Sequence, residues 1–427
     1  MAATQTRELL VVGAGMGTAY LLQELARLPH DWSITVIGEE ARPCYNRVLL
    51  SSLLAGELAA ADLDMLPADC AARFHSGVRA TALDTRARQV HCDDGVARHY
   101  DALVIATGAR VALPPIDTLR AADNIHVVRT LADVDALRTL SSQRGARAVV
   151  LGGGLLGLEA AHGLNSLGFS TAVLHRNPTL MNRQLDREGG QYLQRILEGR
   201  GLGIRTGVTP AALDYSRDGR LRGLRLEDGG RIDCDLLVLA TGIVPNKDLA
   251  AQPALRSERG ILVDEQLRTS VQDVYALGEC CQYGEHTFGL VAPVREQAAV
   301  LARALCGVRS GGFSPSDWPV QLKISGVDIF RAGRLDPGDE HIVFRAPAQG
   351  VYRRLAIADN RLVGTLLVGD GAGSSWYAQL IREGSPIDAL RQGLMFGRDV
   401  ATASAAAGSA GDAHTRTSAE IIERDTA

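Results

Sequence analysis

Short uninterrupted apolar runs alternate along the chain with stretches whose apolar residues recur at helical spacing. That alternation predicts parallel sheets with crossing helices. The run Ala148 to Leu151 leads into Gly152-Gly153-Gly154-Leu155-Leu156-Gly157, and a Leu/Ala-rich helical pattern continues to Leu167. The chain opens the same way, with a strand from Glu8 to Val12, the loop Gly13-Ala14-Gly15-Met16-Gly17-Thr18, a helix through Leu28 and a strand from Ser33 to Ile37. A β-meander is expected at Val78 to Leu83 and Gln89 to Cys92. Two further buried strands, one ending at Ile105 and one at Leu239, each deliver an Ala-Thr-Gly turn, Ala106-Thr107-Gly108 and Ala240-Thr241-Gly242. The chain thus holds two similar units, each opening with a glycine loop and closing with a strand and Ala-Thr-Gly.

The spacing G-x-G-x-x-G after a strand and before a helix suits a dinucleotide. The first glycine permits the turn, the second clears space for a pyrophosphate, and the third lets helix and strand pack closely. Gly152, Gly154 and Gly157 fit this pattern fully. In the first loop Thr18 stands at the third position, with Gly17 one place early, and a β-branched residue there is expected to hold helix and strand slightly apart. The strand after the first loop ends in Gly38-Glu39-Glu40, where Glu39 is placed to hold ribose hydroxyls, the alternative being a solvated strand end. The strand after the second loop ends instead in His175-Arg176, which lacks that carboxylate. An arginine there tolerates a 2′-phosphate, or is an ordinary surface residue. Glu159, one turn into the second loop's helix, is the candidate catalytic residue, a polar group near a nicotinamide; a solvated helix glutamate is the alternative.

Downstream, Val274 to Leu277 runs into Gly278-Glu279, which puts a carboxylate at the carboxyl end of a sheet. A helix from Val294 to Leu305 follows Pro293. From about Phe313 the pattern changes to strands such as Gln321 to Ile324, Arg353 to Ala358 and Val363 to Val368, an α+β unit, and the tail reads as disordered. The fold class expected is α/β, with two Rossmann-like dinucleotide-binding domains, the second inserted in the first, plus a C-terminal α+β domain. The expected spans are 1–115 and 243–311 for the first, 116–242 for the second, 312–399 for the C-terminal interface domain and 400–427 for the tail.

Composition narrows the partners. A formal charge of −4 over 427 residues carries no footprint for nucleic acid. Seven cysteines without any C-x-x-C argue against a disulfide scaffold, a metal site or an iron–sulfur cluster. Without a signal-peptide layout or a run long enough for a bilayer, a soluble cytoplasmic protein is expected, with no membrane partner and a homodimer open.

The two glycine loops, the two Ala-Thr-Gly turns and Tyr275-Ala276-Leu277-Gly278-Glu279, in that order, resemble the two-dinucleotide flavoprotein reductases of the glutathione reductase class. Within it, Tyr45 to Ser51, Leu180 to Asp186 and Phe288 to Pro293 resemble the flavin-binding portion of the assimilatory NAD(P)H nitrite reductase large subunit, with rubredoxin and ferredoxin reductases as neighbours. The resemblance implies FAD phosphates at Gly13 and Gly15, with Gly17 in the same cofactor-binding loop, adenosine ribose at Glu39, and flavin contacts from Arg47, Ser52, the Ala106-Thr107-Gly108 turn and Arg129. It also implies a ribityl partner at Gly278 and Glu279, and NADH or NADPH at Gly152, Gly154, Gly157, His175, Arg176 and Gly242. Ser52 stands where the rubredoxin and ferredoxin reductases carry a flavin-facing lysine, which favours the nitrite reductase branch. The expected activity is that of an FAD-dependent NAD(P)H dehydrogenase in nitrate or nitrite assimilation, passing electrons to a separate acceptor: a nitrate/nitrite reductase component, a ferredoxin- or rubredoxin-like protein, or a haem protein. Without the iron–sulfur and sirohaem segments of that large subunit, these residues are not expected to reduce nitrite alone. Two rivals remain at this stage, a thiol-assisted disulfide or peroxide reductase using Cys44, and a non-catalytic flavoprotein that acts by docking.

Overall fold

The computed structural model describes residues 7–67, 70–140, 145–251, 254–309, 311–316, 318–324, 326–404 and 406. Two five-stranded parallel sheets dominate it, alike in four strands, while the outermost fifth comes last in the chain in the first sheet and first in the second. The first runs in the order Val274–Ala276, Ala102–Ile105, Arg7–Val12, Trp32–Gly38, Arg73–Ser76. The second runs Ile125–Val127, Leu236–Leu239, Arg147–Leu151, Ser170–His175, Gly203–Thr206. In each, the central strand carries the glycine loop, and the chain moves outward on one side before crossing back to the other. Both loops therefore lie at the switch point where open α/β sheets bind ligands.

A three-stranded antiparallel sheet interrupts each unit before the strand that returns to the other side of the central one: Ala80–Asp84, Gln89–Cys92 and Ala97–His99 in the first, Pro210–Tyr215, Leu221–Leu226 and Arg231–Asp233 in the second. The expected meander thus gains a third strand. The opening helix ends at Leu25, sooner than the apolar pattern indicates, because Arg27 and Leu28 continue as tighter turns. The two units are joined by a short antiparallel pair, Ala109–Val111 with Ile243–Pro245, each strand leaving directly from an Ala-Thr-Gly turn.

The C-terminal antiparallel sheet runs Val320–Ile324, Val327–Gly333, Arg361–Val368, Val351–Ala358, Glu340–Ala346. One face packs under the helix Ser374–Glu383. On the other, Tyr352, Leu366 and Val368 join a core that also holds Leu53 and Leu54 of the helix Leu50–Ala55 and Leu158, Ala161 and Leu164 of the helix Leu155–Ser166. This unit is therefore anchored into the body of the chain by a shared core. The expected disorder from residue 400 is corrected at its start: residues 398–404 are helical and Ala401 is buried against Gly393. Residues 407–427 lie outside the described residues.

Thr18 does more than stand helix and strand apart. It is fully buried, and its hydroxyl donates to the Gly13 carbonyl. At the matching place in the second loop, a Cβ on Gly157 would sit 1.9 Å from the Gly152 carbonyl oxygen. One loop meets the contact with a hydrogen bond, the other with bare backbone. Thr18→Val keeps the shape and removes the hydroxyl, leaving a polar group unpaired. The expected cost is about 1–2 kcal/mol, read as a lower thermal midpoint. An unchanged midpoint would mean the bond is not formed.

Candidate functional site

The first glycine of each loop is dictated by backbone contact. Gly13 has φ +111° and a Cβ there would lie 2.1 Å from the Ala106 carbonyl oxygen. Gly152 has φ +129° and the same 2.1 Å approach to the Ala240 oxygen. So each loop is seated on the alanine of its own Ala-Thr-Gly turn. The middle glycines differ in kind: a Cβ on Gly15 or Gly154 would meet nothing within 4 Å. Each caps its helix with no side-chain hydrogen bond to the first turn, so amides face that opening. The residues present thus fit a dinucleotide pyrophosphate at each loop. Gly17 faces Leu277 and Val294 and serves packing.

Four of the residues expected to meet the flavin converge on one place. Arg129 forms an ion pair with Glu279, and its Nε donates to the Ala109 carbonyl at 3.1 Å. Gly108, at φ +65°, presents its open side to both: a Cβ there would lie 3.8 Å from Glu279 and 4.0 Å from Arg129. Arg47 donates to the Arg129 carbonyl at 2.8 Å and pairs with Glu40, which also accepts from the Tyr45 hydroxyl. Glu40 is thus committed to holding the loop, while Glu39 is exposed at the strand end. Thr107 is fixed by Asn246, whose carbonyl accepts from its hydroxyl at 2.8 Å and whose amide donates to its carbonyl at 2.9 Å. Gly278, at φ +87°, donates to the side-chain oxygen of buried Gln297 at 2.9 Å. Nothing in the spacing of Asn246 or Gln297 singled them out, because each acts through a contact outside its own element, and Glu40 could not be told from Glu39 until its bonds to Tyr45 and Arg47 were seen.

In the second unit, His175 Nδ1 accepts from the Gly153 N–H at 3.0 Å and its Nε2 lies 3.3 Å from Asn182 Oδ1. Burial lowers the His175 pKa, so the ring is neutral, with its proton on Nε2. Arg176 is exposed beside it. Gly242, at φ +122°, faces open space. Glu159 sits where the helix Leu155–Ser166 packs on Leu50–Ala55. The hydroxyl that bonds it is that of Ser51; half-buried Ser52 lies one residue on. Cys44 is 1% exposed, and burial, with Cys70 nearby, pushes its thiol up to about 12.

Residues 7–300 match the model of the pyridine nucleotide-disulphide oxidoreductases, and 319–385 match that of the rubredoxin NAD+ reductase C-terminal domain. The chain belongs to the pyridine nucleotide-disulphide oxidoreductase family. By that membership it is an FAD-dependent NAD(P)H oxidoreductase, with the expected two-dinucleotide fold and α+β C-terminal unit. Among its relatives, the nitrite reductase [NAD(P)H] of Bacillus subtilis is 35% identical, over 88% of this chain and 47% of its own length. The assimilatory nitrate reductase electron transfer subunit of the same organism is 34% identical, over 85% and 48%. The chain thus spans about half the length of these curated relatives. The structure of a covalent putidaredoxin reductase–putidaredoxin complex superposes with a TM-score of 0.80 at 24% identity, covering 90% of this chain and 95% of that one, which shows the fold. Among the described residues no helix is long and apolar enough to cross a membrane.

In this oxidoreductase the Glu159 carboxyl carries the clearest electrostatic signature. Burial pushes it up to about 7 from 4.5, against the smaller pull of the Ser51 hydrogen bond. A raised carboxyl pKa favours the folded state fully below pH 4.5, and that advantage is lost as the pH rises through about 7. Glu159→Gln cannot ionise. Its thermal midpoint is therefore expected to gain on the parent's steadily between about pH 5 and pH 8. A difference that stays flat across that range would place the carboxyl's ionisation well below 7.

Proposed function

We propose that this chain draws electrons from NADH or NADPH and hands them, by way of FAD, to a separate redox protein. The observation that carries the reading is the pair of equivalent loops, each with an open middle glycine, joined by a strand pair that brings both turns to one seam. Residues 1–115 and 243–311 would hold FAD, with phosphates on the Gly13–Gly15 loop, adenosine ribose at Glu39, and the flavin end among Arg47, Ser52, Gly108, Arg129 and Glu279. Residues 116–242 would hold the nicotinamide nucleotide on Gly152, Gly154 and Gly157, with His175 and Arg176 beside the adenosine ribose. Arg176 would accommodate a 2′-phosphate, since no carboxylate stands there to repel one. FAD, when bound, supplies the exchange between a two-electron donor and one-electron acceptors. The protein's own part is to align the two rings and keep water out of the seam, with Glu159 holding a proton beside it.

The acceptor would be a nitrate or nitrite reductase component, a ferredoxin- or rubredoxin-like protein or a haem protein, in the cytoplasm. The relatives named for electron transfer and the structure complexed with putidaredoxin support a protein acceptor. A thiol route is disfavoured, because a buried thiol with a pKa near 12 is not a thiolate at neutral pH.

Because a Cβ at Gly15 or Gly154 would meet nothing within 4 Å and neither backbone is left-handed, substitution there tests ligands with little disturbance of the fold. Gly15→Leu is expected to yield a folded, colourless protein that FAD does not turn yellow. Gly154→Leu is expected to stay yellow but no longer be bleached by NADH or NADPH. A yellow Gly15→Leu protein would refute the FAD assignment. With ferricyanide as acceptor, Cys44→Ser should keep NAD(P)H oxidation within about threefold of the parent, under 1 kcal/mol in barrier. Turnover of a disulfide or peroxide that vanishes in Cys44→Ser would favour the thiol enzyme.

A further inference from the structure

The glycine between the two phosphate-facing positions of the second loop is gripped on both sides by one segment. The Gly153 N–H donates to His175 at 3.0 Å, and its carbonyl accepts from the Met181 N–H at 2.9 Å. The fit is tight: a Cβ on Gly153 would lie 2.7 Å from Leu180 Cδ2 and 2.8 Å from His175 Cγ. Asn182 then touches His175 from the far side at 3.3 Å, so the ring is held between the loop and the same segment.

That segment is stiff as far as Asp186. Met181 is 1% exposed and in the left-handed region at φ +50°, and its carbonyl accepts from both Gln184 N–H at 2.8 Å and Leu185 N–H at 2.9 Å. Leu180, Met181 and Leu185 are buried in the shared core. Asp186 caps the next helix through Oδ1, accepting from the Gly189 N–H at 2.7 Å. Its other oxygen reaches into the C-terminal sheet, accepting from the Tyr352 hydroxyl at 2.7 Å and from Arg354 at 3.0 Å. Arg354 is steadied in turn by His341, 3.3 Å from its Nε.

We propose that Tyr352 and Arg354 of the C-terminal sheet are positioning residues for the nicotinamide-nucleotide loop, acting through Asp186 and the 180–186 segment on Gly153 and His175. The inference rests on the reading that the second loop takes NADH or NADPH. Nucleotide affinity then depends on how the C-terminal sheet is docked, although neither residue need touch the nucleotide. A neighbouring contact supplies the comparison: Arg345 of the same sheet pairs with Glu188, in the first turn of the helix beyond Asp186, rather than with Asp186 itself.

The test leaves Asp186 and its helix cap intact. Tyr352→Phe combined with Arg354→Gln, Arg354→Lys alone, and Arg345→Gln are each compared with the parent flavoprotein by calorimetric titration with NAD+ and NADP+. Flavin absorbance and thermal midpoint are recorded alongside. The double variant is expected to bind the nucleotide about five- to tenfold more weakly, with KM raised, kcat little changed and flavin content equal to the parent's. Arg354→Lys, which keeps the charge, is expected to lie between the two, and Arg345→Gln to stay within about twofold of the parent even if its midpoint falls. Affinity in the double variant within twofold of the parent overturns the inference, as does an equal loss in Arg345→Gln, which would reduce the effect to general docking of the sheet. A parent that is yellow yet binds neither nucleotide overturns the reading of the second loop, and this inference with it.

Discussion

The approach of Gly13 to the Ala106 carbonyl, repeated by Gly152 at Ala240, is the constraint on which the rest of the architecture depends. With 2.1 Å between a notional Cβ and a carbonyl oxygen, no other residue fits, and φ above +100° would strain one that did. The contact locks the end of the central strand to the end of its neighbour across the switch point. Helix, loop and Ala-Thr-Gly turn are then positioned together in each unit. Because both turns run directly into the paired strands Ala109–Val111 and Ile243–Pro245, the same contact also fixes where the two units face each other.

A second close approach sets how they face. A Cβ on Gly163 would lie 2.7 Å from the Leu54 side chain, so the helix of the second loop beds directly onto the helix Leu50–Ala55. Glu159 and Ser51 are carried into that seam by the packing, and the carboxyl's burial follows from it. The C-terminal sheet completes the arrangement by placing Tyr352, Leu366 and Val368 in the same core. One of its faces is therefore internal and the other lies under its own helix.

What was legible in the sequence follows the same physics. Gly13 and Gly152 could be read because a backbone requirement writes itself directly into residue type, and the repeated Ala-Thr-Gly could be read because the two units solve one problem twice. The choice between neighbours could not. Ser51 and Ser52 differ by 100° around a helix, a phase that only packing sets, and Ser51 faces Glu159. Glu39 and Glu40 are equivalent by spacing, yet Glu40 is taken by Tyr45 and Arg47. Thr18 looked like a defect in a glycine pattern and turned out to be a donor to Gly13. The link from Asp186 to Tyr352 and Arg354 joins residues more than 160 positions apart, beyond any local pattern.

The cysteines bear on a point that the family's name leaves open, since that name includes disulphides. Disulfide chemistry next to a flavin needs a thiol that is both reachable and able to ionise near neutral pH. Cys44 is the cysteine nearest to the candidate flavin loop in sequence, and it is 1% exposed with its thiol pushed up to about 12. Cys280 and Cys281, beside Glu279, are fully buried and raised for the same reason. Their sulfurs are occupied as well, lying 3.3 Å from the Ile105 carbonyl and 3.0 Å from that of Gly278. A relay through Cys280 or Cys281 would have to open the core of the first sheet, to which both belong, and one through Cys44 would have to expose a buried thiol. Electron delivery to an outside protein needs no such opening, only a redox centre held near the surface by residues already in place.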